Sequence, residues 1–145
     1  MNLPSWKVPY IDLSAQYRAL KEPIDEAMAR VMASGRYING EETERFEEAM
    51  ARYLGVKHVV GVGNGYDALY LSLIAINPGN GFSVLTDEYT HVSSHNSILA
   101  ARAVASFKNN PDIQIELPVH MNGRFNLNAL MEPRRTVVED SCQAI

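Results

Sequence analysis

Two stretches near the start of the chain repeat their apolar residues at the spacing of a helix. Over residues 24–32, apolar side chains recur at positions i, i+3, i+4, i+7 and i+8, which form one face of an amphipathic helix. Pro23 suits the first turn of that helix, and Gly35 suits its C-terminal stop. The second stretch, GEETERFEEAMARYLG, keeps the same spacing, with its acidic residues early and Gly55 at its end. The pattern therefore predicts two successive helices.

Further along, the chain alternates between short β-branched runs and helical segments. The runs typical of strands are HVVGVG, FSVLT, IQIELPVH and TVVED, and the helical segments are Asp67 to Ile76 and SSHNSILAARAVA. The first of these helices is apolar almost all round, so we expect it to be largely buried. Strands that alternate with helices indicate βα units and a parallel sheet. The sequence predicts an α/β fold, with a helical segment over residues 1–55 and a partial α/β domain over residues 56–145 that together make a single compact unit.

Composition limits which classes of binding partner and which cellular compartment fit this protein. The formal charge of −4, from 13 basic and 17 acidic residues spread along 145 positions, leaves no basic stripe for a nucleic acid. No window approaches the roughly 20 apolar residues that span a bilayer, and the N-terminus lacks the pattern of a signal peptide. The single cysteine, Cys142, fits a reducing compartment. We therefore expect a cytoplasmic protein with neither a nucleic-acid nor a membrane partner.

The stretch GVGNGYDAL, Gly61 to Leu69, joins a β-branched run to the apolar helix with three glycines in five residues. The first N–H groups of a helix lack internal partners, and glycines let backbone approach an anion without a Cβ in the way. The pattern is not the dinucleotide fingerprint, because position 66 is Tyr, and no Gly-Lys-Ser/Thr of a P-loop follows. From the pattern alone, a single-phosphate site and a tight βα turn with Asp67 as a first-turn acid both remain open.

The block VVEDSCQAI contains the strongest candidates for functional side chains. Its β-branched run delivers Glu139 and Asp140 to the C-terminal edge of the predicted sheet, where open α/β folds bind ligands. A helix cap after a strand is the alternative interpretation of Asp140. No histidine base lies beside Cys142 in the sequence, so we interpret that cysteine as a packing residue. His95 and His120 form no metal spacing with it, and we predict no metal site.

Three ordered blocks resemble the DegT/DnrJ/EryC1/StrS family. The first runs nearly unbroken from Val8 to about Leu73, and the others are LPVHMNGR and VVEDSCQAI. The resemblance implies the large domain of a type I aminotransferase that depends on pyridoxal 5'-phosphate (PLP), with a mostly parallel sheet flanked by helices, here truncated. It also implies a homodimer that transfers an amino group from an amino-acid donor to a keto sugar nucleotide, with pyridoxamine 5'-phosphate (PMP) as the intermediate form of the cofactor.

The resemblance also implies roles for individual residues. The cofactor phosphate would bind at the glycine junction, where the family commonly has Thr in place of Tyr; the residues here are Asn64, Gly65 and Tyr66. His91 would stack on the pyridine ring. Asp140 would pair with the protonated pyridine nitrogen and keep the ring able to accept electrons. Gln143 would approach the phenolic oxygen of the ring.

One element of the family's machinery is not found in the sequence. In the family, the lysine that holds PLP as a Schiff base lies downstream of the EDxxQA block, in a Ser-x-x-Lys context. The lysines here stand outside that motif, so we assign no catalytic residue and expect this chain alone to be inactive; they are Lys7, Lys21, Lys57 and Lys108.

The middle of the chain is also shorter than the family pattern. Only VASFKNNPDIQIE bridges the His91 segment and LPVH, so we expect some strands to be lost or to pair differently. Two alternatives to the aminotransferase remain open. One is a non-catalytic scaffold or binding module derived from the family, and the other is a PLP-dependent sugar dehydratase, in which histidine replaces the lysine.

Overall fold

The computed structural model describes residues 9–76, 79–125 and 135–144. The contacts divide the chain into two units, Met1–Gly61 and Val62–Ile145. The first unit contains the helices α1 (Leu13–Ser34) and α2 (Glu41–Leu54). In the described part of the second unit the elements are, in chain order, α3 (Gly65–Ile76), β1 (Ser83–Thr86), α4 (Val92–Ala100), β2 (Val104–Ser106), β3 (Ile113–Leu117) and β4 (Thr136–Val137).

The first helix of the N-terminal unit is longer than its apolar pattern predicts. The side chain of Asp12 caps α1 by accepting a hydrogen bond from the N–H of Ala15 at 2.9 Å, so the helix begins well before residue 24. Pro23 therefore lies inside α1, and its predicted place in the first turn is wrong. The predicted stop is confirmed, because Gly35 takes a left-handed conformation with φ of 64°.

The second helix lies within its predicted stretch. α2 carries acidic residues in its first turn and ends at Gly55, which is also left-handed. Neither helix of this unit contains a buried side chain. The two helices are joined by an ion pair in which Arg30 Nε lies 2.7 Å from Glu42 Oε1. No helix in the described ranges is both long and apolar enough to cross a membrane.

The second unit is built on a parallel sheet with the strand order β2-β1-β3-β4. The α/β prediction is confirmed, and the runs FSVLT, IQIELPVH and TVVED supply β1, β3 and β4. The run HVVGVG forms no strand, contrary to the prediction. Its Val60 is 76% exposed, and the N–H of Gly61 donates to the Glu47 carboxylate at 2.7 Å instead of to a neighbouring strand. A β-branched run becomes a strand only where a partner completes its hydrogen bonds.

The helix predicted from SSHNSILAARAVA is two elements in the structure. α4 ends at Ala100, and Arg102 takes a left-handed φ of 56°, which turns the chain back toward the sheet. The N–H of Val104 then donates to the carbonyl of Phe82 at 2.8 Å, and β2 pairs with β1. Small residues suit either element, so the strand is selected by its pairing.

The core of the second unit lies between the sheet and the helices α3 and α4. Alternate residues of β1 and β3 point into it, and its buried apolar members include Leu69, Leu73, Val84, Ile98, Ile115 and Leu117. The expectation that α3 is largely buried is wrong, because Leu71 is 44% exposed and Ile74 is 38% exposed. Only one face of α3 meets the sheet and α4.

Candidate active site

A cavity of about 580 Å³ lies at the carboxyl ends of β1, β3 and β4, where the N-termini of α3 and α4 also meet. All six residues that the sequence predicts for cofactor binding line it, namely Asn64, Gly65, Tyr66, His91, Asp140 and Gln143. The cavity is in the size range of small-molecule and cofactor sites. The fold thus brings residues from three distant blocks of the sequence to one wall.

The first turn of α3 forms one end of the cavity. Asn64 caps the helix, since its Oδ1 accepts a hydrogen bond from the N–H of Asp67 at 2.9 Å. The N–H groups of Gly65 and Tyr66 open the helix and have no acceptor inside it. A Cβ added to Gly65 would lie 3.4 Å from Cys142 Sγ, at the cavity wall. The helix dipole and these N–H groups make this end of the cavity suitable for an anion.

Tyr66 takes part in this turn chiefly through its backbone. Its ring stacks on that of Tyr70, one helical turn further along, with centroids 6.2 Å apart and an interplanar angle of 7°. The stacking holds the phenol against the surface of α3. The donor that Tyr66 offers at the start of the helix is therefore its N–H.

His91 caps α4 and lines the cavity. Its Nδ1 accepts a hydrogen bond from the N–H of Ser93 at 3.2 Å and lies 2.8 Å from the hydroxyl oxygen of the same serine. An Nδ1 that accepts a backbone hydrogen bond carries no proton, so the neutral ring is protonated at Nε2. The cap fixes the ring at the mouth of a βα loop, the position expected from the pattern.

Asp140 is buried at the carboxyl edge of the sheet, with only 8% of the residue exposed. Its backbone continues the line of β4, because its N–H donates to the carbonyl of Pro118 at 3.0 Å and it bridges in parallel to Val119. Its Oδ1 accepts from the N–H of Cys142 at 3.2 Å, and its Oδ2 accepts from the hydroxyl of Ser94 at 3.4 Å. Residues 141–144 form a turn, so Asp140 does not cap a helix.

Cys142 lies between Asp140 and Gly65. The Asp140 carboxylate, which hydrogen-bonds the thiol, raises the pKa of Cys142 above its ordinary value, and burial adds to the effect. The negative charge and the low polarity both disfavour the thiolate. The thiol therefore stays protonated at neutral pH, which argues against a nucleophile. Cys142 is exposed, so its interpretation as a packing residue is not confirmed.

Gln143 is anchored to the turn that follows β3. Its Oε1 accepts a hydrogen bond from the N–H of Asn122 at 2.6 Å, and Asn122 has a left-handed φ of 57°. This bond leaves the two hydrogens on Nε2 as the donors that the side chain offers to a ligand.

His120 and Thr90 also line the cavity, and Ser94 lies directly behind its wall; the sequence analysis assigned none of the three to cofactor binding. His120 is 1% exposed, stacks on Phe125 with centroids 4.4 Å apart, and places Nε2 3.3 Å from Glu139 Oε2. The sequence resemblance puts its block beside the site but does not reveal this contact. Thr90 lines the cavity, and its hydroxyl oxygen lies 3.1 Å from that of Ser94, which reaches Asp140 from behind.

Ser94 follows His91 by one turn of α4, and this spacing is the sequence signal that could have placed Ser94 near the site.

Among the described residues, no group of three His, Cys, Asp or Glu side chains could hold a metal ion.

Comparison with known proteins gives the family of the chain. A sequence model of the DegT/DnrJ/EryC1/StrS aminotransferase family matches residues 18–117, more than half of the chain. The chain belongs to this family. The DegT/DnrJ/EryC1/StrS relatives include dTDP-3-amino-3,4,6-trideoxy-alpha-D-glucose transaminase of Streptomyces venezuelae, which is 35% identical over 160 aligned positions. That alignment covers 95% of this chain and 42% of the relative.

Solved structures of the DegT/DnrJ/EryC1/StrS fold show the same architecture. The crystal structure of S. venezuelae DesV in complex with a ketimine intermediate has a TM-score of 0.86 and 34% identity, over 94% of this chain and 43% of that one. The structure of NtdA from Bacillus subtilis with bound cofactor PMP has a TM-score of 0.81 over 99% of this chain and 38% of that one. Its identity of 23% shows a shared fold alone.

The chain thus spans less than half the length of these relatives, and its predicted fold, the truncated large domain of a PLP-dependent aminotransferase, is confirmed.

Proposed function

We propose that this chain is the cofactor-binding part of a PLP-dependent aminotransferase that aminates a keto sugar nucleotide with an amino-acid donor. The observation that carries the proposal is the position of Asp140, a buried carboxylate that shares one cavity with the anion-binding start of α3. PLP and PMP need both features around one ring: an anion site for the phosphate and an acid for the pyridine nitrogen. The substrate class follows from the transaminase activity named for the S. venezuelae relative.

The side chains and backbone groups of the cavity fit this cofactor. The N–H groups of Gly65 and Tyr66 would hold the phosphate, and the missing Cβ of Gly65 leaves room for it. The capped ring of His91 would lie against one face of the pyridine ring. Gln143 would donate from Nε2 to the phenolic oxygen.

In this arrangement Asp140 holds a proton at the ring nitrogen. Its carboxylate accepts hydrogen bonds from neutral groups and is an acceptor for one more donor, the protonated nitrogen. When bound, the cofactor supplies an electron sink for cleavage of bonds at the substrate carbon that carries the amino group. The contribution of this chain is to bind the ring, orient it and keep it cationic.

Equilibrium binding of PMP to the chain tests the proposal, because PMP needs no lysine. We expect saturable binding, and we expect Asp140→Asn to weaken it by about tenfold or more, the usual value of a hydrogen bond between charged groups. Asp112→Asn is the matched control, since it makes the same change at an exposed site beyond the cavity lining. Absence of binding by the unmodified chain would favour a scaffold over a cofactor site.

The chain offers a second readout at the site itself. Cys142 is its single cysteine and is exposed to the cavity. Saturating PMP should slow alkylation of Cys142 by iodoacetamide in the unmodified chain and in Asp112→Asn. Pyridoxamine without the phosphate should protect less, because it cannot use the start of α3. Equal protection by both compounds would contradict the assignment of Gly65 and Tyr66 to the phosphate.

We further propose that the protein acts as a cytoplasmic homodimer. The support is the N-terminal unit, in which the apolar faces of α1 and α2 contain no buried side chain. Apolar faces of this extent are commonly covered by a partner. Sedimentation velocity over a hundredfold range of concentration would reveal a monomer–dimer equilibrium, and a single monomeric species throughout would refute this proposal.

A further inference from the structure

Asp140 is buried, and the groups around its carboxylate determine how the carboxylate is held at the cavity. In the described part of the chain, Asp140 takes part in none of the ion pairs. A buried carboxylate without a cation needs hydrogen-bond donors to replace the water that burial removes. Two groups of the chain donate hydrogen bonds to the Asp140 carboxylate: the N–H of Cys142 donates to Oδ1, and the hydroxyl of Ser94 donates to Oδ2.

Ser94 is a fully buried residue whose hydroxyl has a defined direction. An ionised carboxylate accepts only, so Ser94 donates its single hydroxyl hydrogen to Asp140. The hydroxyl of Thr90, 3.1 Å away, must then be the donor to Ser94. The result is a one-way chain of hydrogen bonds from Thr90 through Ser94 to Asp140, in which each bond polarises the next.

The same helical turn also carries His91. The N–H of Ser94 donates to the carbonyl of His91 at 3.0 Å, and the His91 ring is fixed by its own cap on Ser93. The start of α4 therefore sets the position of two groups: the ring that would lie on the face of the cofactor and the hydroxyl that holds the acid at its edge.

We propose that Ser94 is a positioning residue, which holds the Asp140 carboxylate in place for the ring nitrogen of the cofactor through the Thr90–Ser94–Asp140 hydrogen-bond chain. This inference rests on the proposed function and names a residue that acts on the cofactor through Asp140. Ser94 does not line the cavity, so it affects a ligand only through its neighbours.

A double-mutant cycle on PMP binding tests this role. Ser94→Ala should weaken PMP binding by about threefold to tenfold, the value of a hydrogen bond to a buried acceptor. In the Asp140→Asn background the same substitution should have little further effect, because its route to the cofactor is gone. If Ser94→Ala weakened PMP binding by the same factor in the Asp140→Asn background as in the unmodified chain, the loss would reflect general damage to the site and would overturn the inference.

Ser97→Ala is the matched control for Ser94→Ala. Ser97 is equally buried on the same helix, but its hydroxyl donates to the carbonyl of Ser94 and does not contact Asp140. We expect Ser97→Ala to bind PMP like the unmodified chain, with thermal unfolding of each variant measured in parallel. An equal loss in Ser97→Ala and Ser94→Ala would contradict a specific role for Ser94.

Thr90→Val provides an independent variant if Ser94→Ala unfolds. It keeps the shape of the side chain and removes the outer hydroxyl, so it should cause a smaller loss that also disappears in Asp140→Asn. Unchanged PMP binding in both Ser94→Ala and Thr90→Val, with binding by the unmodified chain intact, would overturn the inference and leave the proposed function standing. If the unmodified chain binds no PMP, the proposed function fails, and the inference fails with it.

Discussion

At the scale of single residues, the site is organised around the contact between Asp140 and Cys142. The carboxylate raises the pKa of the thiol, and burial acts in the same direction. The thiolate is the species that reacts with alkylating agents, so the raised pKa slows alkylation at any pH below it. The rate of alkylation of Cys142 therefore reports the charge of Asp140, even without a ligand.

We predict that Asp140→Asn speeds alkylation of Cys142 by iodoacetamide at pH 8. Loss of the negative charge lowers the pKa of the thiol toward its ordinary value, so a larger fraction is thiolate at that pH. The difference from the unmodified chain should shrink as the pH rises above the thiol pKa of both proteins. Asp112→Asn should react at the unmodified rate, and a slower reaction in Asp140→Asn would contradict the contact.

A substitution at Gly65 would affect the stability of the fold and the proposed cofactor binding in different ways. A Cβ at this position meets Cys142 Sγ at 3.4 Å, an ordinary van der Waals contact, and Gly65 is not among the glycines with positive φ. We predict that Gly65→Ala keeps or slightly raises the melting temperature, because alanine is the better helix former by up to about 1 kcal/mol. The methyl group would occupy the space proposed for the phosphate, so the affinity for PMP, measured by titration, should fall at least about tenfold. An affinity equal to that of the unmodified chain would place the phosphate elsewhere.

At the scale of elements, the buried pair of Glu116 and Arg135 connects β3 to the start of β4. Arg135 lies 2.6 Å from Glu116 Oε1, and the two side chains are 13% and 3% exposed. Arg135 also donates to Asn109 Oδ1 at 2.8 Å and to the carbonyl of Asn110 at 3.0 Å. Within the described residues, Glu116 Oε2 has no hydrogen-bond partner. The ion pair with Arg135 is therefore what stabilises the buried carboxylate of Glu116.

We predict that Arg135→Met lowers the free energy of unfolding by about 3 kcal/mol, since it leaves the Glu116 carboxylate buried and unpaired. Replacing both partners, as Arg135→Met with Glu116→Leu, should recover most of that loss. The control is Arg52→Met, which removes an exposed pair 3.8 Å from Glu48 and should cost less than about 1 kcal/mol. Denaturant titration measures all three, and equal losses in the single and double variants would contradict the pairing.

The elements also show how far the sequence predicts this molecule. Local signals sufficed where the cause is local, as at Gly35 and Gly55, which stop helices through left-handed backbone. They failed where a distant partner decides, as in HVVGVG, which has the composition of a strand but pairs with no strand among the residues that the structure describes. β2 is the opposite case, a small-residue segment made into a strand by its bond from Val104 to Phe82.

The same difference between local signals and long-range contacts applies to the candidate site. The six residues predicted to bind the cofactor could be named because they stand in segments that resemble the family, and the structure brings them to one cavity. The role of Ser94 could not be predicted, because its link to Asp140 crosses 46 residues of chain. Such a contact becomes visible only when α4 is packed against the end of β4.

At the scale of the whole molecule, the two units differ in what stabilises them. Every member of the buried apolar cluster belongs to the second unit, within the described residues. The helices of the first unit contain no buried side chain and rely on capping, backbone hydrogen bonds and surface ion pairs. Exposed pairs of this kind contribute little each, so the first unit has the weaker source of stability.

Hydrogen exchange should therefore separate the two units. In dilute solution we predict the slowest amide exchange in β1, β3 and α4, which pack on the core, and much faster exchange in α1 and α2. Raising the protein concentration should slow exchange in α1 and α2 if a second copy covers their apolar faces, and it should leave β3 unchanged. Mass spectrometry of peptides from each element measures both effects. Amides of α1 that exchange as slowly as those of β3 in dilute solution would show that the first unit has a stable core of its own, and the proposal that its apolar faces need a partner would lose its support.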